Sequence, residues 1–114
     1  QNAPLLILVT SVTHFNNSDK PNSWAAYDTG ASAQNLVLQA TSLGLVTHSM
    51  GGFDKAKVQQ HFDLPSDIQP WAVIAVGYQA AAETLNAEFK SRELAERQRS
   101  ALNSRFYLGK WGSE

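Results

Sequence analysis

Apolar and polar positions along the chain fall into blocks with different periods. Residues 4–12, Pro-Leu-Leu-Ile-Leu-Val-Thr-Ser-Val, form a continuous apolar and β-branched run, the pattern of a strand covered on both faces. The polar stretch from His14 to Ser23, with Asn16, Asn17, Asp19 and Pro21, predicts a loop. Residues 24–43 contain no proline and many good helix formers, and Ser23 stands where a helix cap belongs. In that segment Asp28, Ser32, Asn35, Gln39 and Ser42 recur at spacings of four and three and make one polar stripe. Tyr27, Ala31, Ala33, Val37 and Ala40 cover the remainder. The small residues Gly30-Ala31-Ser32-Ala33 let another backbone approach closely, which suits either a core helix or a subunit-interface helix. Gly30 costs such a helix about 1 kcal/mol relative to alanine, and close packing would offset that.

Gly44 predicts the end of this helix. A short connection through Val46, Thr47, His48, Ser49 and Met50 then reaches Gly51-Gly52-Phe53. Asp54 is placed to cap a short helix over 55–62, with Phe53 and Val58 at the spacing of a hydrophobic staple. Pro65 and Pro70 mark a loop over 63–70, and residues 71–77, Trp-Ala-Val-Ile-Ala-Val-Gly, read as a second buried strand. Residues 82–98 are helix-prone, with Leu85 and Phe89 on one face, and residues 100–111 are irregular and aromatic, an extended arm. Two strands buried on both faces need further strands beside them. The chain is therefore expected to be a piece of a larger α+β domain, or to fold only with another chain.

Composition fits one globular unit: 114 residues, 43% hydrophobic, 17% charged. The absence of cysteine removes a disulfide framework, thiolate metal sites and cysteine nucleophiles. The net charge of -1 hides an asymmetry, since residues 1–89 balance to -4 and residues 90–110 to +4. Such near-neutrality argues against a general nucleic-acid surface. No apolar run approaches the roughly 18–20 residues of a membrane span, and the start carries no secretory signal, so a cytoplasmic address is expected.

Candidate chemistry is sparse. Gly51-Gly52 is either an ordinary turn or a place where a flat ligand or phosphate reaches backbone N–H groups without a Cβ in the way. Arg97 and Arg99, two apart where the last helix gives way to extended backbone, either grip one phosphate together or belong to a solvated charge run. His14, His48 and His61 lack the spacing of a helical zinc site, so no metal is expected. No serine sits in a nucleophile elbow. Trp24, Trp71 and Trp111 read as core or interface anchors.

Taken in order, these segments resemble the C-terminal half of the flavin-dependent nitroreductase family. The resemblance runs through Asp28-Thr-Gly30-Ala31-Ser-Ala33-Gln34-Asn35-Leu36 into Leu43-Gly44-Leu45, then Met50-Gly51-Gly52-Phe53-Asp54, then Val73-Ile-Ala-Val-Gly77-Tyr78, then Arg97-Gln-Arg99 followed by Leu102 and Gly109-Lys110-Trp111-Gly112. It implies an α+β, FMN-binding fold that is an obligate homodimer, with the flavin at the subunit interface. Residues 1–114 would be the C-terminal part of a single domain, without its N-terminal flavin-binding half: nothing in residues 1–24 resembles the family's arginine- and serine-rich motif. By the same resemblance, Ser49, Met50, Gly51 and Gly52 pass along the isoalloxazine ring, and Arg97 and Arg99 contact the FMN phosphate. Helix 24–43 is the main dimer helix, and residues 100–114 form an arm wrapping the partner, with Ala101 where many members carry proline. The implied reaction is ping-pong hydride transfer from NADH or NADPH through flavin N5 to a nitroaromatic, a quinone or a similar electron-poor acceptor. The cofactor carries that chemistry, so no side chain is assigned as catalytic. The alternative is a non-catalytic homologue or partner subunit that has lost the flavin.

Overall fold

The structure, a computed structural model, describes residues 3–112. The last two residues of the expected arm, Ser113 and Glu114, lie outside the described residues. The chain divides into two compact units, one running through Gln79 and the other beginning at Ala80.

The first unit is a three-stranded antiparallel sheet with a long helix on one face. In chain order it contains β1 (Leu5–Val12), α1 (Ala25–Ser42), β2 (Val46–Met50), α2 (Lys55–His61) and β3 (Ile68–Gly77). The strand order is β1-β3-β2, so the strand latest in sequence lies in the middle. Ile7 pairs with Ile74 and Leu5 with Val76, which puts alternate residues of both strands on one face. Ala40, Ile74 and Val76 form the core there, with Ile7, Val9, Ala33, Leu36 and Leu45 packed against them. Ala33, Leu36 and Ala40, spaced three and four apart, are the stripe of α1 that meets the sheet. All five members of the expected polar stripe are exposed. Trp24, Tyr27 and Leu38 are exposed too, and their helical positions lie away from the core stripe.

Four sequence expectations change in this unit. Residues 46–50 are a strand and not a connection, so the sheet has three strands rather than two. Their polar composition, Val-Thr-His-Ser-Met, suits an edge strand paired on one side only. β3 begins at Ile68, upstream of Pro70, because a bulge accommodates the proline: Val9 pairs with Ala72 but Thr10 with Pro70, leaving Trp71 as the extra residue. Trp71 Nε1–H donates to Ser11 Oγ across the bulge at 2.8 Å. The apolar run of β1 is not covered on both faces, since Leu5 and Leu6 are 51% and 58% exposed. Ser23 does not cap α1; Asn22 Oδ1 accepts from Trp24 N–H at 3.2 Å instead.

The end of α1 follows the glycine expectation. Gly44 takes φ +75°, its N–H donates to Thr41 O at 3.0 Å, and Leu45 N–H donates to Ala40 O at 2.9 Å. This paired closure satisfies carbonyls that the helix leaves open, and it returns Leu45 to the core.

The second unit holds α3 (Ala87–Glu93) between two 3-10 turns, Ala82–Thr84 and Leu102–Ser104. The helix expected over 82–98 is thus interrupted and ends early. Asn86 explains the break: its backbone is extended and its Oδ1 accepts from Phe89 N–H at 2.9 Å, so it starts a new helix. No side chain in this unit is fully buried.

Candidate functional site

Ser49 and Met50 end β2, and Gly51-Gly52 carry the chain from the strand to α2. Ser49 lies opposite Ile74, on the face that α1 covers, and Met50 lies opposite Val73, on the other face. The strand therefore presents these neighbours to opposite sides of the sheet. Just beyond the glycines, Asp54 accepts from Lys57 N–H at 3.1 Å and fixes the start of α2, as its spacing predicts. Lys55 Nζ lies 5.3 Å from the centre of the Trp71 ring, tying the start of α2 to β3.

The glycines fit a close approach by something outside the chain. Neither has a positive φ, so the backbone does not require glycine at either position. A Cβ built on Gly51 or Gly52 meets nothing within 4 Å, so packing within the chain does not require it either. The space above this turn is open, which is the condition for a planar group to lie against backbone N–H groups, and Ser49 and both glycines are exposed.

Arg97 and Arg99 belong to the second unit and lie beyond α3, in extended backbone. Residues two apart on such backbone share a side, as the phosphate reading needs. Both are exposed. Arg99 Nη1 donates to Gln98 O at 3.0 Å, while the neighbouring Arg92 is engaged by Glu88 at 2.8 Å. Ser49, Met50, Gly51 and Gly52 are thus contiguous in the first unit and the arginine pair sits in the second. Sequence reasoning missed that Ser49 and Met50 are strand residues. The signal available was the β-branched pair Val46-Thr47 just after a helix-ending glycine. Among the described residues no three histidine, aspartate or glutamate side chains converge as a metal site would, and no helix is long and apolar enough to cross a membrane.

Known proteins give this geometry a context. A model of the nitroreductase family matches residues 1–78. A 15.4 kDa protein of uncharacterised function from Mycolicibacterium smegmatis, from the ask 5' region, is 34% identical over 90 residues, covering 79% of this chain and 60% of that protein. Among solved structures, an oxidoreductase containing FMN is similar with a TM-score of 0.85 and 26% identity, over 96% of this chain and 56% of that one. A nitroreductase family protein from Clostridium difficile 630 shares the fold with a TM-score of 0.70 and 22% identity, over 96% of this chain and 61% of its own. The chain thus spans between 56% and 61% of the length of these relatives. Its mixed sheet-and-helix architecture is the nitroreductase-like α+β fold. Supported by a match over most of its length, the chain belongs to the nitroreductase family.

Proposed function

We propose that this chain is the C-terminal part of an FMN-dependent oxidoreductase that works as a homodimer in the cytoplasm. The observation that carries the reading is the likeness, at a TM-score of 0.85 over 96% of this chain, to an oxidoreductase containing FMN. When bound, FMN supplies a two-electron relay that takes hydride from NADH or NADPH and delivers it to an electron-poor acceptor such as a nitroaromatic or a quinone.

The chain's own residues have simpler tasks. Gly51 and Gly52 leave room for the flat ring and offer backbone N–H groups to the side where negative charge gathers on reduction. Ser49 and Met50 form the strand end that leads into this turn. Arg97 and Arg99 bind the phosphate through charge-assisted hydrogen bonds. Trp24, Tyr27 and Leu38 on the outer face of α1 supply apolar surface for the dimer, which explains why a helix on a sheet keeps large side chains in solvent. No side chain is needed to move a proton in the hydride steps.

Purification of the whole protein tests the reading. It should carry flavin absorbance or acquire it on titration with FMN, and it should then oxidise NADH or NADPH only when a quinone or nitroaromatic is present. A colourless protein that takes up no added FMN would overturn the assignment in favour of a homologue that has lost the flavin.

A further inference from the structure

Three shallow recesses run into one another along the outer side of β1, forming one furrow between that strand and α1. Its inner end is floored by Ile7, Val9, Ala33 and Leu36 and is apolar. Asp28 lines the middle, and Asp19 and Asp67 rim the outer end at the loop after β1. No lysine or arginine lines any part of it. Among the described residues β1 is paired with β3 alone, so no strand occupies this side.

Residues 101–112 have the opposite character. They carry Arg105 and Lys110 and no acidic residue. Leu102, Phe106, Leu108 and Trp111 are all exposed, Trp111 to 91%. A run of large apolar groups between two cations, with nothing covering it, is a surface made to be covered. The furrow offers what it lacks: an apolar floor for its rings and carboxylates for its charges.

We infer that this furrow is the docking surface for residues 101–112 of a second copy of the chain. The inference rests on the dimeric reading above and deepens it by naming the surface that receives the arm. Charge complementarity selects the occupant. Residues 1–89 balance to -4 and residues 90–110 to +4, so two copies related by a two-fold axis bring each arm to the other's acidic body and satisfy both pairs at once.

Reciprocal charge reversal in the whole protein tests this. One variant carries Arg105→Glu with Lys110→Glu, the other Asp28→Lys with Asp67→Lys; all four side chains are exposed, and circular dichroism checks folding. Each variant alone should dimerise at least tenfold more weakly than the parent by sedimentation. An equimolar mixture should recover a heterodimer, because both arm-to-furrow pairs then match in sign. Two variants that dimerise as tightly as the parent, with no preference for each other, would overturn the docking and leave the dimer standing. Arms docked in their own furrows would leave sedimentation unchanged and mixing without effect, and would also overturn it. A monomeric parent would remove the dimer and the docking together. As a second measurement, Asp67→Cys mixed with Trp111→Cys should cross-link between chains, since this chain has no cysteine of its own; no interchain bond under oxidising conditions counts against the docking.

Discussion

The two compact units are built on opposite principles. The first closes around Ile74, which is 1% exposed, with a helix stripe and two strands packed on it. The second has no fully buried side chain, and its order comes from local devices: the Asn86 cap, the Glu88–Arg92 ion pair and hydrogen bonds within 3-10 turns. Local devices of this kind contribute about 1 kcal/mol or less each, too little to offset the entropy of ordering the residues that make them. The first unit therefore holds its shape by burial. The second depends on whatever covers Phe106, Leu108 and Trp111.

This difference gives predictions that fall in order of size. Ile74→Ala should destabilise the first unit by about 2–5 kcal/mol in denaturant unfolding, the usual cost of emptying a closed core site. A smaller loss would show that the sheet is held from outside the chain. Next, Arg99→Ala should leave unfolding unchanged while raising the FMN dissociation constant about 10- to 100-fold, as the loss of a charge-assisted hydrogen bond of about 1.5–3 kcal/mol implies. An unchanged constant would remove Arg99 from the phosphate site. Gly52→Val should behave likewise, because its new side chain meets no atom of this chain but occupies the space the flavin needs; isothermal titration reads the effect. Asp54→Ala should cost about 1 kcal/mol by removing the cap of α2. The smallest effect belongs to Leu108→Ala, which should change the unfolding free energy of the dissociated chain by less than about 0.5 kcal/mol. Amide exchange offers a parallel check, with β3 protected and residues beyond Glu93 exchanging rapidly.

What could be read from the sequence follows the same division. β1, α1 and the Gly44 stop are legible because burial against one core imposes a period, and the Asp54 cap is legible because its chemistry is local. β2 escaped because an edge strand needs no continuous apolar run. Pro70 misplaced the start of β3 because a bulge that tolerates proline depends on the register with β1, which sequence alone does not display. The helix over 82–98 was drawn too long because propensity favours it throughout, whereas Asn86 starts a new helix in the middle. In the candidate site the residue types were legible and their placement less so: Ser49 and Met50 facing opposite sides of the sheet is a consequence of pairing, and pairing is set by β3.

The two edges of the sheet also differ in how they behave in a crowded solution. β2 exposes Thr47, His48 and Ser49 along an unpaired side, a polar border that gives a neighbouring sheet little to adhere to. β1 has the same unpaired side but begins with two exposed leucines and is β-branched further on, the composition that recruits foreign strands. Aggregation of this chain, when its outer strand is left bare, therefore starts at Leu5 and Leu6, and a charged residue at Leu6 is the substitution that keeps it in solution.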